Sequence, residues 1–398
     1  MKIKIYKSVA RGKMCAPPSK SMAHRLLICA GLSGNGARIT NVAFSKDIDA
    51  TLRCLSAMGA EYLIDGNTVI FEKGVTFGKE RKVLNCNESG STLRFFIPLA
   101  LIDGKETVFS GQGRLMERPM TIYRDICLNQ NILFRQDERI TVKGILKGGK
   151  YTVPGDVSSQ FITGLMFALP LLGGGEIEIT GKIESRSYIN LTISAMNKSG
   201  ISVNWKNRNT IDVPMGVYSM KNETVEGDYS NAAFLEGLSF LGGNVEVTGL
   251  DEDSMQGDAV YKEFYKKMTK EPTVIDLTDC PDLGPVLMAL GYVNGVTLQN
   301  TARLKIKESA RGEAMQDVLS RFGITAHVFE NEIIVEKSSP QIPTSPIYCY
   351  NDHRIVMSAA LLLTITGGEL DGYEAVSKSY PDFFDKLEEL GIKLEYTN

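Results

Sequence analysis

Apolar positions in this chain gather into six stretches of helical spacing, and each is entered from a short run of small or polar residues. The six read PPSKSMAHRLLICAGL, NESGSTLRFFIPLALI, GDVSSQFITGLMFALP, GDYSNAAFLEGLSFLG, CPDLGPVLMALGYVNG and YNDHRIVMSAALLLTI. They begin near residues 18, 88, 156, 228, 281 and 351, so most steps are close to 70 residues and one is short. A second helix follows in each unit and often ends in Gly before a hairpin, as in AMGAEYLIDGNTVIFE, MNKSGISVNWKNRNTIDV, RFGITAHVFENEIIVE and ELGIKLEY. Asp65-Gly66-Asn67 and Asn207-Arg208-Asn209 supply the turn residues that hairpins need. Apolar residues also recur at helical spacing in DATLRCLSAMG and EAMQDVLSRFG. The repeat therefore reads strand, helix, strand, helix, then a two-stranded hairpin. Such internal repetition constrains the fold more than any single motif.

Six such units exceed one comfortable core, so the expected class is α/β with two similar domains of three units each. The fourth unit lacks a clear hairpin, because YKEFYKKMTKEPTVIDL runs directly into CPDLG, and that explains the short step. The natural break lies in VEGDYSN, at residues 225–231. The N-terminal MKIKIYKSVA alternates like the strand that opens other units, so it is expected to complete the second domain. The predicted domains are residues 19–228, and residues 1–18 with 229–398. Two chain crossings between them are what a hinge needs.

A chain of 398 residues that is 43% apolar can bury two substantial cores. A formal charge of −3 and a pI near 5.8 argue against nucleic acid or an anionic membrane as the main partner. Seven cysteines without a C-x-x-C pair fit a reducing compartment better than a disulfide framework or a zinc site. The N-terminus lacks the apolar core of a signal peptide. The longest uncharged run, residues 157–175, contains serines, a glutamine and a proline, and reads as a buried helix rather than a membrane span. A cytoplasmic protein is expected.

The unusual residues sit at the helix starts. Ser19-Lys20-Ser21 and Arg25 combine hydroxyls, cations and exposed amides, and a helix N-terminus favours anions. An ordinary serine cap with solvated charges would give the same string. Ser158-Ser159-Gln160 opens a very apolar helix, where two hydroxyls either cap it or hold a phosphate. The Gly-rich NESGSTLR, residues 87–94, matches no Walker pattern. Arg114 and Arg118, Lys307 and Arg311, Arg354, and Lys378 also lie near helix starts, where a cation opposes the dipole. Singly, each is a solvated surface charge. Together they suggest that their cost is offset, and a ligand with several negative groups would offset it. His24 and His353 each sit beside an arginine and fit the ordering of a helix start better than zinc binding. Asp282 and Glu308 read equally as a helix cap and a surface ion pair, or as a general base and acid in a dry cleft.

As a set, PPSKSMAHR, SGSTLR, GRLMERP, SSQFITGL, ESRSYI, CPD, KIKESAR, NDHR and SKSYPDFF resemble the enolpyruvyl transferases, and within them the EPSP synthase (3-phosphoshikimate 1-carboxyvinyltransferase) family. The resemblance spans the chain in the family's order. It implies two domains of three βαβαββ units in an inside-out α/β barrel, a hinge, a monomer, and no metal or organic cofactor. It implies an addition–elimination that moves the enolpyruvyl group of phosphoenolpyruvate to the 5-hydroxyl of shikimate 3-phosphate. By the same resemblance, Ser158, Ser159 and Ser185 hold the substrate phosphate with Lys307 nearby, and Ser21 and Arg25 hold its carboxylate. Gln160 and Tyr188 line the ring. Arg114, Arg311, Arg354, Lys378 and the Gly90 backbone clamp phosphoenolpyruvate, with Gln160 also near it. Lys20 lies between the two substrates and contacts both, Asp282 binds shikimate 3-phosphate and accepts its hydroxyl proton, and Glu308 with Lys20 moves protons at the methylene carbon. The first domain would serve mainly shikimate 3-phosphate; the second would supply much of the phosphoenolpyruvate site and the acids.

Two departures stand out. The family often has Asn-Ser/Ala-Gly-Thr where this chain has Glu88-Ser89-Gly90-Ser91, and some members have asparagine at the position of Arg303. The sister enzyme acting on UDP-N-acetylglucosamine usually carries a reactive cysteine in the loop matching GQGRLMERP. Here Cys86 and Cys127 fall outside that loop. A silent anion-binding scaffold is the remaining alternative, and it would not need Asp282, Glu308 and Lys20 together.

Overall fold

Every polar-to-apolar junction becomes a helix start in the computed structural model, which describes residues 1–33, 36–78 and 82–397. The twelve α-helices among the described residues alternate between two kinds. They are α1 (Lys20–Ser33), α2 (Lys46–Ala57), α3 (Gly90–Ala100), α4 (Thr121–Asn129), α5 (Ser159–Ala168), α6 (Arg186–Lys198), α7 (Tyr229–Phe240), α8 (Tyr261–Met268), α9 (Gly284–Leu290), α10 (Arg311–Arg321), α11 (His353–Thr366) and α12 (Phe383–Glu389). The odd-numbered helices open the units and are buried almost all round: α5 from Phe161 to its end, α11 from His353 to Thr364. A helix without a polar face belongs in a core. Its polar start is the cap. Ser89, Ser158, Asp228 and Asp352 each accept a backbone N–H from the first turn of their helix. The apolar run at 157–175 stops at Gly173, whose φ of 95° no branched residue would adopt readily. No helix among the described residues is long and apolar enough to cross a membrane.

Among the described residues, five four-stranded sheets share one plan, in which a parallel pair is extended by antiparallel strands. In one, Lys82–Asn85 runs parallel to Thr107–Ser110, which pairs antiparallel with Ile140–Lys143 and then Leu133–Gln136. Strands such as Lys82–Asn85 and Thr273–Asp276 alternate buried and exposed positions, giving one face to the helices and one to solvent. The odd-numbered helices are buried, whereas even-numbered ones such as α4 and α8 bury a single face.

The chain divides into two compact units, Pro18–Glu226 and Met1–Pro17 with Gly227–Asn398. Each has its own apolar core. The opening strand of the first repeat, Asn222–Thr224, comes from the far end of its unit and lies parallel to Ala37–Thr40. The fourth repeat is opened by Arg11–Cys15, parallel to Asn244–Thr248, and that sheet has only these two strands. Its missing hairpin matches the short repeat. ELGIKLEY was expected to enter a local hairpin, but its strand Leu394–Thr397 pairs with Lys2–Ile5 instead. The N-terminal strand takes the place of the hairpin partner, between Leu394–Thr397 and Gly368–Asp371.

One charged pair is sealed into the Pro18–Glu226 unit. Lys82 Nζ donates to Asp103 Oδ2, with side chains only 2% and 6% exposed. Asp103 also accepts the backbone N–H groups of Gly78 and Lys105. Burial works against its charge, but the Lys82 hydrogen bond and the two amides outweigh it and hold the carboxyl below its usual range.

Candidate active site

In the Pro18–Glu226 unit, Lys20 opens α1, and its ammonium lies 3.0 Å from Asp47 Oδ2 in the first turn of α2. Five residues on, Arg25 is 3% exposed and surrounded by neutral oxygens. Its Nε donates to Thr192 Oγ1 at 2.8 Å, and its terminal nitrogens donate to the carbonyls of Ser21 (2.6 Å) and Tyr188 (3.0 Å). Burial lowers the guanidinium to about 10, with only weak opposition from Tyr188 and Cys29. At neutral pH it remains charged, a cation held by dipoles rather than by a carboxylate.

Hydroxyls tie α1, α2 and α3 together. His24 Nδ1 lies 2.8 Å from Thr51 Oγ1, Thr51 lies 2.8 Å from Thr92, and the Thr92 hydroxyl donates to Ser89 Oγ at 2.7 Å. Burial first, then Lys20 and Arg25, hold His24 well below the usual histidine range, so it is neutral. It orders a helix start. Among the described residues no group of three or more His, Cys, Asp or Glu side chains is placed for a metal ion.

This network fixes Ser89, and Ser89 fixes the α3 start at Gly90. A Cβ at Gly90 would fall 2.5 Å from Arg118 NH1 and 3.3 Å from Arg94 NH1. Arg94 donates to Gln160 Oε1 at 2.6 Å, and Gln160 Nε2 donates to Ser91 Oγ at 2.9 Å. Ser158 caps α5 by accepting from Gln160 N, while Ser159 is buried in its first turn. Ser185 precedes α6 with φ of 58°, and its side chain does not cap that helix. Tyr188 follows in the first turn.

The other unit contains a denser set. Asp282 does not cap α9; it sits in the 3-10 turn Pro281–Leu283 that precedes it. Its Oδ1 accepts from Lys307 Nζ (3.2 Å) and Arg311 NH1 (2.9 Å), and its Oδ2 accepts from Arg354 NH2 (3.0 Å). Arg311 also donates to Glu308 Oε2 at 2.7 Å and to Asp352 Oδ2 at 2.9 Å. Arg354 NH2 reaches Ser230 Oγ at 3.0 Å, and Ser230 donates to the α7 cap Asp228. Lys378 Nζ donates to the Asn351 carbonyl at 2.6 Å, across a left-handed pair at Tyr350 and Asn351. Arg303 donates to the Thr278 carbonyl.

Burial would raise the Asp282 carboxyl, but Arg354, Lys307 and Arg311 outweigh it and hold it well below the carboxylate range. Asp352 is likewise lowered against burial, chiefly by Arg311. Burial lowers Lys307, partly resisted by Asp282, while Asp352, Glu308 and Asp282 raise Arg311 despite its burial. The sequence suggested that a ligand must offset the repulsion among these cations. Here three carboxylates already do so, facing Lys307, Arg311 and Arg354. Because Asp352 is depressed in the folded state, its contribution is present above the unfolded value near 4 and is lost as pH falls through the lower folded value. Asp352→Asn should therefore destabilise the protein at pH 7 and progressively less as pH falls below about 4, as measured by chemical unfolding at neutral and at acid pH. An equal deficit at both would contradict an ionised Asp352.

The sequence model of the EPSP synthase (3-phosphoshikimate 1-carboxyvinyltransferase) family matches residues 6–387. The chain belongs to this family. Proteins named 3-phosphoshikimate 1-carboxyvinyltransferase from Clostridium kluyveri and Clostridioides difficile are 38% and 35% identical to it. The alignments cover 96% of both chains in the first case, and 100% of this chain and 99% of the relative in the second. An EPSP synthase structure from Acinetobacter baumannii superposes with a TM-score of 0.80 over the full length of both chains at 21% identity. The enolpyruvyl transferase NikO from Streptomyces tendae gives 0.77 at 12% identity, over 99% of this chain and 98% of that one. These two show the same fold.

Sequence reasoning passed over several supporting residues in this EPSP synthase family member. Asp47 and Asp352 hold Lys20 and Arg311, and Arg94 and Thr192 hold Gln160 and Arg25. Arg114 and Arg118 share one loop, yet Arg114 is exposed, and the guanidinium near Gly90 is that of Arg118. Arg118 Nε is buried without a hydrogen-bond partner among the described residues. Four residues apart in GRLMERP, the two arginines cannot be distinguished by type.

Proposed function

We propose that this protein is a 3-phosphoshikimate 1-carboxyvinyltransferase, transferring the enolpyruvyl group of phosphoenolpyruvate to the 5-hydroxyl of shikimate 3-phosphate with release of phosphate. The enzyme belongs to the shikimate pathway toward chorismate and the aromatic amino acids, and we place it in the cytoplasm. The observation that carries the reading is the near full-length match to curated relatives of that name. Geometry supports it. Arg25, a buried cation among neutral acceptors, suits the substrate carboxylate with Ser21. Ser158, Ser159 and Ser185 suit its phosphate, and Gln160 and Tyr188 its ring. Arg118, rather than the exposed Arg114, joins Gly90 and Lys20 as a group for phosphoenolpyruvate, alongside Arg311, Arg354 and Lys378.

The enol phosphate of phosphoenolpyruvate is a poor electrophile until its methylene carbon takes a proton, which we assign to Glu308 and Lys20. Attack by the 5-hydroxyl on the cation-like carbon gives a tetrahedral intermediate, and loss of phosphate and a proton restores the double bond. Asp282 takes the hydroxyl proton. Held well below the usual range, it is ionised at neutral pH but weakly basic. Substrate anions that draw Lys307, Arg311 and Arg354 away would raise its basicity when the hydroxyl is in place. Binding and deprotonation are thereby coupled.

Phosphate release should require phosphoenolpyruvate and shikimate 3-phosphate together; release only with UDP-N-acetylglucosamine as acceptor would overturn the reading. The cysteines flanking the expected loop argue against that acceptor, since burial raises Cys86 well above the usual thiol range and Cys127 to about 12. A local test follows from Gly90→Ala. The added methyl must displace the Arg118 tip, so KM for phosphoenolpyruvate should rise about tenfold or more while that for shikimate 3-phosphate changes little. Equal rises in both would place Arg118 elsewhere in the reaction.

A further inference from the structure

Ser185 stands at a helix start with a left-handed backbone that costs a non-glycine residue of order 1 kcal/mol, so neighbouring structure must hold it there. The next residue supplies the means. The Arg186 guanidinium carbon lies 3.7 Å from the centroid of the Trp205 ring, and its NH1 donates to the Arg208 carbonyl at 2.8 Å. The Trp205 indole N–H donates to Asn190 Oδ1 at 2.9 Å. Arg186 and Asn190 are four residues apart, so the indole lies along one face of the first turn of α6 and is fastened at both ends. Trp205 and Arg208 belong to the hairpin of Asn204–Trp205 and Thr210–Val213, and the latter strand pairs with Gly175–Thr180 in the sheet. The helix start is thus tied to a sheet through one stacked pair.

We propose that Arg186 and Trp205 are positioning residues that clamp the α6 start so that Ser185 and Tyr188 are set for a phosphorylated substrate, and that Trp205 emission reports occupancy of that start. This rests on the reading of Ser185 and Tyr188 as shikimate 3-phosphate ligands. The guanidinium is suited to the task because it is planar and stacks on the indole face while its edge still donates hydrogen bonds; a lysine ammonium cannot do both. Trp205 is the only tryptophan in the chain, so its emission is a signal from one place. A dianionic phosphate bound at Ser185 would arrive one residue from the stacked cation and change the field on the ring.

The test titrates the full-length protein with shikimate 3-phosphate, following tryptophan emission and heat of binding together. Emission should change saturably, with the midpoint given by calorimetry, and shikimate without its phosphate should not reproduce the change at matched occupancy. Arg186→Lys and Trp205→Leu should raise KM for shikimate 3-phosphate roughly three- to thirtyfold and leave KM for phosphoenolpyruvate within twofold. Trp205→Phe, which keeps an aromatic face, should restore most of the loss. Binding heat without an emission change, or a lowered melting temperature with unchanged KM in Arg186→Lys, would overturn the clamp while leaving the assigned reaction intact. No binding heat in the unaltered protein would overturn both.

Discussion

Asp282→Asn is expected to lower kcat by about 10²–10⁴-fold, the usual contribution of a positioned general base. The substitution keeps the shape of the side chain and removes its charge. Lys307 and Arg354 then lose their shared carboxylate, while Arg311 retains Glu308 and Asp352. With fewer competing anions in the protein, shikimate 3-phosphate should bind no more weakly than before. Loss of turnover with preserved affinity is therefore the signature, read by phosphate release and calorimetry. Near-normal turnover would remove Asp282 from the proton-transfer scheme, and a parallel loss of affinity would make it a binding residue instead.

The largest expected stability effect lies far from the chemistry. Lys82→Met keeps the length of the buried side chain but leaves the Asp103 carboxylate without its cation, at a cost of about 3–5 kcal/mol. Gly78 and Lys105 would still donate to it, which places the expectation toward the lower end. Without Lys82 the Asp103 carboxyl loses its strongest stabilising partner and should titrate higher than in the unaltered protein, so protonation relieves part of the penalty as pH falls. The deficit in urea unfolding should therefore shrink between pH 7 and pH 4. A deficit below about 1 kcal/mol at neutral pH would mean that water reaches Asp103 once the lysine is gone.

The repeat was legible in the sequence because its signals are local. A cap such as Ser89 or Asp352 and the apolar turns behind it are encoded within a dozen residues. Strand exchange was less so. Asn222–Thr224 pairs with Ala37–Thr40, and Leu394–Thr397 with Lys2–Ile5, through parallel or long-range ladders that no turn residue announces. At the site, motifs named the cations and two of the carboxylates that hold them, Asp282 and Glu308, but not Asp47 or Asp352. Asp352 was visible only as part of NDHR, although its position before His353 is that of a cap, and burial makes it the partner of Arg311 as well. The choice between Arg114 and Arg118 depends on how a loop folds against Gly90, which spacing does not encode.

The placement of Lys2–Ile5 and Arg11–Cys15 has a consequence for biogenesis. These strands leave the ribosome well before their partners, which are Asn244–Thr248, Gly368–Asp371 and Leu394–Thr397. At about 5–20 residues per second, the nascent N-terminal peptide waits roughly tens of seconds for its last neighbour. The Pro18–Glu226 unit can meanwhile mature as soon as Asn222–Thr224 emerges. The two halves of one polypeptide are thus born on different schedules, and a separately synthesised copy of the leading peptide has a vacant berth to fill in a chain made without it.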